Sequence, residues 1–375
     1  MFGSGFAHGG GHGGGHGGGH GGGHGGGHGG GHGGGHGGGH SESHAGNAAS
    51  PYLAQALQLS REAIIGTWGG TADKKLAERL DPSSLRYLSP LRRGIVLFGA
   101  LSQHFKVSCD TDCTRIELDG EPIFKVRAPK TDDLKALLKY VRAYSDLRVD
   151  RIAEISTQTT DILSFFGATN HLDALKRKHT LELLELTQSL TVMLEMQVKH
   201  YTWTPRPNAF SDKVQPMIQT PDHSSFPSGH ATEAFAIATV LNSLDTGGTA
   251  QKGVSDLAIP FKLAHRIAAN RVVAGVHYPC DSDAGAMMGC AIGSAIISVA
   301  QQSRTLKFEY DPYEEVGPEG QTQERVFLDM TPKSFADRFG TPETNGPCAS
   351  GDNLFTCLWE RAKSEWPKKE TKDDC

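Results

Sequence analysis

Three short stretches decide how this chain reads: Lys199–Pro207 (KHYTWTPRP), Pro227–His230 (PSGH) and Arg271–Asp281 (RVVAGVHYPCD). In that order they supply three cations (Lys199, Arg206, Arg271), a tight Pro-Ser-Gly turn, and two imidazoles (His230, His277). Asp281 follows His277 by four positions. Arginine presents a planar fork that can grip several oxygens of one anion, whereas lysine offers a compact point charge. The Ser228-Gly229 turn opens a predicted helix, so it adds a hydroxyl and unpaired backbone N–H groups where an anion can sit. Gly229 lets the backbone approach closely because it has no side chain. Singly, each feature is weak: a Lys or Arg at a helix end is usually solvated, and most histidines are not catalysts. Their ordered coincidence points to a site for a tetrahedral oxyanion with acid–base or nucleophilic chemistry.

Outward from these motifs the pattern is helical. Leu172–Tyr201 carries Leu183, Leu186, Leu190, Met193 and Leu194 along one side, as an amphipathic helix does. Lys199 falls in its last turn, where a cation suits the helix dipole. Pro205 and Pro207 end that helix. Further helices are expected over 52–68, within 132–166 (divided where it is least apolar), from Gly229 or His230 to about Leu244, at about 256–275 and 281–302, and near 354–364. A glycine-rich loop is read at 246–253. Residues 115–126 alternate around Asp119-Gly120, which predicts one small β-hairpin.

The three motifs, at these spacings and in this order, resemble the superfamily shared by type 2 phosphatidic acid phosphatases, bacterial acid phosphatases and vanadium-dependent haloperoxidases. The likeness runs over roughly residues 150–302. The third motif usually opens Ser-Arg; here it reads Asn270-Arg271, and asparagine still donates and accepts hydrogen bonds. The resemblance implies a mainly α fold, a helical bundle of the acid phosphatase/vanadium haloperoxidase type. It also implies roles for the residues. In the phosphatase branch His277 attacks phosphorus, Asp281 orients it, and His230 protonates the leaving oxygen and then activates water. In the haloperoxidase branch His277 bonds vanadium, so that vanadate is the cofactor and hydrogen peroxide and halide are the substrates. Lys199, Arg206, Ser228, Gly229 and Arg271 hold the oxyanion in both. His223 stands seven positions before His230, where bromoperoxidases of this type carry a second histidine and chloroperoxidases a phenylalanine. It tilts the expectation towards a haloperoxidase-like activity. A soluble acid phosphatase, hydrolysing phosphomonoesters without a cofactor, is the alternative.

Composition sets the remaining expectations. From His8 to His40 a histidine recurs every fourth residue between Gly-Gly-Gly spacers, so residues 1–50 are read as a disordered tail. The catalytic domain is placed at 51–305, and 306–375 as an extension packed on it. The tail suits Zn, Ni or Cu through neutral imidazoles, which makes a metal-binding protein a third reading. A formal charge of −5 excludes a general nucleic-acid binder. The apolar run Ala284–Ala300 is short for a bilayer span, and no export signal is visible. The expectation is therefore no membrane span, a cytoplasmic location and reduced cysteines, with a homo-oligomer left open. His265 and Arg266 are expected at the surface.

Overall fold

The computed structural model describes residues 51–66, 69–72, 81–111, 113–310 and 353–366. The histidine-rich tail, with its expected disorder and metal binding, lies outside the described residues. The chain divides into two units, between Ile95 and Val96. In the first, helix α1 (Pro51–Ile65) buries no residue, and a 3-10 helix (Pro82–Tyr87) is capped by Asp81, whose carboxylate accepts from the Ser83 N–H at 2.8 Å. Helix α2 (Pro90–Ser102) leads into the second unit, where Leu97 and Leu101 are buried.

The second unit is mostly helical and holds a four-stranded sheet, β1 (Phe105–Cys109), β2 (Thr114–Leu118), β3 (Glu121–Val126) and β4 (Phe308–Tyr310), in that spatial order. β2 and β3 pair antiparallel across Asp119-Gly120, both at positive φ (50° and 89°), the backbone that two-residue hairpin turns require. β1 adds antiparallel and β4 parallel. The sheet is thus larger than the hairpin read from the sequence: β1 also joins it, and β4, although it alternates, is three residues long, too short to announce a strand.

Helices follow as α3 (Thr131–Tyr144), α4 (Arg148–Thr157), α5 (Leu163–Asn170), α6 (Lys178–Thr202), α7 (Gly229–Thr246), α8 (Ala250–Ser255), α9 (Ile259–Val273), α10 (Pro279–Gln301) and α11 (Asn353–Ser364). Two boundaries differ from the sequence reading. α6 starts at Lys178 rather than 172 because the Asp173 carboxylate captures the N–H groups of Leu175 and Lys176 (2.7 and 3.0 Å) in a local turn. The Glu365 carboxylate then accepts from the N–H groups of His179 and Thr180 at the start of α6. The expected loop at 246–253 contains α8, nucleated by the Thr249 cap on Lys252 N–H.

α7 and α10 form the centre. Their closeness depends on small residues: a Cβ on Gly289 would stand 2.3 Å from the Thr232 carbonyl. Nearly every residue of α10 is buried. This helix overturns the expectation of no membrane span. It begins at Pro279, ahead of the Ala284–Ala300 apolar run, and runs 23 residues, about 35 Å at 1.5 Å per residue, against a hydrocarbon core of about 30 Å. An 18-residue window has mean hydropathy 1.5, so α10 is long and apolar enough to cross a membrane, although 94% of that window is buried within the fold.

Candidate active site

The site lies where the end of α6, the start of α7, the end of α9 and the start of α10 meet. Lys199 sits in the last turn of α6, Arg271 in the last turn of α9, Gly229 and His230 at the first two positions of α7, and Asp281 in the first turn of α10. Arg206 and His277 lie on the segments that follow α6 and α9. Every one of these side chains except His230 is buried.

His277 and Asp281 are joined by a 2.9 Å contact between Nδ1 and Oδ2. A carboxylate can only accept, so Nδ1 carries the proton and the Nε2 lone pair is left for chemistry. Asp281 Oδ2 also accepts from Ser225 Oγ and, at 3.0 Å, from the Tyr278 N–H. The last bond is half of a capping arrangement, with Pro279 at the first helical position. One carboxylate therefore starts α10 and fixes the His277 tautomer. Burial raises the Asp281 pKa above the ordinary carboxylate value, opposed by the Ser225 and Tyr278 donors. Burial, and then Arg206 and Lys199, push His277 well below the usual imidazole value, so its ring is neutral and its lone pair available.

The two arginines differ in how their donors are used. Arg206 gives Nε to the His223 carbonyl (3.2 Å). Its Nη1 reaches the Val276 carbonyl (2.8 Å) and His277 Nε2 (3.3 Å), and its Nη2 the Ser224 carbonyl (3.4 Å) and His223 Nδ1 (3.3 Å). A guanidinium has five N–H groups; four meet the carbonyls and His277 Nε2, and the fifth faces His223 Nδ1, which also lies 3.2 Å from the Ser224 carbonyl. Arg271 spends only Nη2, on Ile155 O (3.2 Å) and Gln158 Oε1 (2.9 Å). Its Nε and Nη1 are buried without a partner, as is Ser228 Oγ. Ser228 caps α7 without using its side chain, and the first N–H groups of that helix have no intrahelical acceptor. Unpaired buried donors are costly, so those on Arg271 and Ser228 are groups open to a ligand. Lys199 Nζ donates to the carbonyls of Ser224 (3.2 Å) and Pro227, which leaves one of its three hydrogens.

His230 bonds the Gln158 carbonyl through Nε2 at 2.8 Å. Burial and Arg271 hold its pKa well below the ordinary value. His223 is half-buried, and desolvation, Lys199 and Arg206 lower its pKa to about 4. Contacts thus link Arg206, His223, His277 and Asp281, place Lys199 beside Arg206 on the Ser224 carbonyl, and join His230 and Arg271 through Gln158. Cys280 is a buried thiol pushed well up in pKa by burial, a packing residue rather than a reactive one. His265, expected at the surface, is buried.

Sequence reasoning missed several neighbours. Ser225 supports Asp281, and Gln158 touches both His230 and Arg271. Two carboxylates, Glu195 and Glu233, are buried beside the site. A Cβ on Gly229 would stand 2.5 Å from Glu195 Oε1, and Gln188 donates to Glu233 Oε2 at 2.7 Å. Burial raises the pKa of both. Glu195 was open to detection: it stands four residues before Lys199 on the buried side of α6, where an acidic residue needs a reason.

Comparison with known proteins agrees with this geometry. Residues 182–305 match the PAP2 superfamily. The decaprenylphosphoryl-5-phosphoribose phosphatases of two Mycobacterium tuberculosis strains are each 33% identical over 82 residues, which is 22% of this chain and 41% of the relative. The matched part thus spans less than half the length of these curated relatives. PAP2 proteins are typically membrane-associated; together with the apolar α10 this overturns the expected cytoplasmic location. From the early turns of α6 to just beyond α10, residues 182–305 are similar to the PAP2 superfamily.

Proposed function

We propose that this protein is a phosphatase that cleaves phosphomonoesters through a phosphohistidine. The observation that carries the reading is the pairing of a neutral His277, its Nδ1–H held by Asp281, with unpaired donors on Arg271 and Ser228. In the first step the Nε2 lone pair bonds phosphorus as the bond to the leaving oxygen breaks, and His230 gives that oxygen a proton. The ring then bears positive charge, which Asp281 stabilises. In the second step His230 takes a proton from water, whose oxygen attacks phosphorus, and the P–N bond breaks. In the free protein burial and Arg271 keep His230 neutral; a bound dianion offsets the Arg271 field and favours its protonation. Lys199, Arg206, Arg271, Ser228 and the Gly229 backbone hold the equatorial oxygens, where negative charge must be met once water is excluded. Arg206 joins them by exchanging its His277 contact for the ligand.

The same donors would hold vanadate with His277 bonded to the metal, which would supply peroxide activation for halide oxidation. The donor set fits that oxyanion as well as phosphate, so geometry does not favour it. The matched relatives are phosphatases, and they support hydrolysis over the haloperoxidase-like activity expected first. Their printed substrate makes a polyprenyl-linked sugar phosphate the first compound to assay beside an aryl phosphate. Rapid quench with labelled substrate should trap an acid-labile, base-stable phosphoprotein that is absent in His277→Ala. Turnover in that variant, or trapping of label on another residue, would refute the assignment.

A further inference from the structure

We propose that Gln158 is a positioning residue that sets both the anion-gripping face of Arg271 and the tautomer of His230; the proposal rests on the phosphatase reading above. Gln158 caps the C-terminus of α4, its own N–H bonded to the Glu154 carbonyl at 2.9 Å, and it is 1% exposed. Its side-chain Oε1 accepts from Arg271 Nη2 (2.9 Å) and Asn270 Nδ2 (3.0 Å), and its main-chain carbonyl receives His230 Nε2 (2.8 Å). One residue on a neighbouring helix thus touches the acid–base histidine and the arginine with open donors.

The amide orientations follow from chemistry. Arg151 Nη1 can only donate, and it meets Asn270 Oδ1 at 2.8 Å. The Asn270 nitrogen therefore faces Gln158 and Glu154, the latter at 3.0 Å. Two donors, from Asn270 and Arg271, then converge on the Gln158 side chain, so the atom they meet is its oxygen. Glu154 is held in turn by Arg266, at 2.8 and 2.5 Å. The chain Arg266–Glu154–Asn270–Gln158 runs from an exposed arginine to Arg271. The asparagine that replaces the family's usual serine is a working member of it.

Two consequences follow. With Nη2 tied to Ile155 O and Gln158 Oε1, the plane and rotation of the guanidinium are fixed, which sets the directions of Nε and Nη1, the two nitrogens that lack protein partners. With Nε2–H donated to a carbonyl, which can only accept, the proton His230 exchanges with the leaving oxygen and with water travels through Nδ1. The titratable groups acting on that ring are Arg271, His277 and Lys199, so a change at Gln158 that alters Arg271 is felt by His230.

The test uses the full chain with Gln158→Met, which removes the acceptor, and Gln158→Glu, which keeps the shape but partly neutralises Arg271. Calorimetric binding of inorganic phosphate and the pH profile of phosphomonoester cleavage are both read. Each variant should bind phosphate about tenfold more weakly, the scale of one hydrogen bond to a charged group. KM should rise more than kcat falls, and Gln158→Glu should also shift the alkaline limb of the kcat/KM profile, which reports protonated His230, to higher pH. A variant that melts at lower temperature but binds phosphate and titrates like the parent would overturn the proposal and leave Gln158 a packing residue. Should a Gln158 variant not fold, Asn270→Ser carries the same expectation at smaller size, and an unchanged phosphate affinity there counts against it. A parent protein that neither binds phosphate nor cleaves a phosphomonoester would instead sink the underlying reading.

Discussion

Replacing Asp281 with asparagine separates the catalytic role of this carboxylate from its architectural one. Asp281 Oδ2 accepts three donors, from His277, Ser225 and the Tyr278 backbone. An asparagine that places its carbonyl oxygen there keeps all three and removes only the charge. That charge matters most when His277 carries phosphorus and becomes cationic. A hydrogen bond to a charged partner is worth about 1.5–3 kcal/mol, which predicts a loss in kcat of about 10- to 100-fold. Phosphate affinity should stay within about twofold, since the Arg271 and Ser228 donors are untouched. Stability should move the other way. The folded pKa of Asp281 is raised by burial, so the native state binds more protons than the unfolded chain between the two values. Stability is then lost as pH rises through that window, and ionised Asp281 is a cost at neutral pH. Asp281→Asn should melt at the same temperature or higher at pH 7 while turning over far more slowly. Steady-state kinetics, calorimetric phosphate binding and thermal melts decide it. A kcat within threefold of the parent, or a loss confined to phosphate affinity, would refute the role.

Arg271→Lys keeps the charge but loses the separately directed Nε and Nη1 donors, so phosphate or vanadate should bind about tenfold more weakly; equal inhibition constants would contradict multidentate contact. His223 has its folded pKa lowered to about 4, so it contributes stability present above the unfolded value of about 6.5 and lost as pH falls towards 4. Denaturant midpoints measured between those values should fall with acidification, and His223→Gln should flatten part of that slope; an NMR titration placing the ring near 6.5 would remove the basis for this. Deleting residues 1–50, where histidine recurs every fourth position, should abolish Zn or Ni binding and leave phosphomonoester cleavage unchanged. Calorimetry and the same kinetic assay read both arms.

What the sequence revealed of the site tracks how local each signal is. Lys199, Arg206, Ser228, Gly229, Arg271, His277 and Asp281 occupy spacings that are themselves the signature, and His277 with Asp281 is an i, i+4 pair whose chemistry is legible without coordinates. Gln158 is not legible in that way. Its contacts with His230 and Arg271 cross 72 and 113 positions, and nothing in its own neighbourhood announces them. The long helices were visible through their periodicity, and α10 was placed to within two residues (281–302 against Pro279–Gln301), but its many small residues left its capacity to span a membrane unread. The start of α6 was obscured because leucine spacing continues through the Asp173 turn, which only side-chain hydrogen bonding breaks.

The way these cations are buried explains how the pocket keeps a field for an anion. Lys199, Arg206 and Arg271 are each at most 5% exposed, and desolvation lowers the pKa of all three. A carboxylate paired with each would relieve that cost and cancel the charge the ligand needs. Instead the partners are largely neutral dipoles: the carbonyls of Ser224 and Pro227 for Lys199, of His223, Ser224 and Val276 for Arg206, and Ile155 O with Gln158 Oε1 for Arg271. Dipoles satisfy hydrogen bonds without neutralising charge. The nearby acids do not undo this, because burial raises the pKa of Glu195 and Glu233 and disfavours their ionised forms. Asp281, bound to three donors, is directed at His277 rather than at the arginines. The net field therefore stays positive at the Nε2 face of His277, where a phosphoryl group must sit to be attacked.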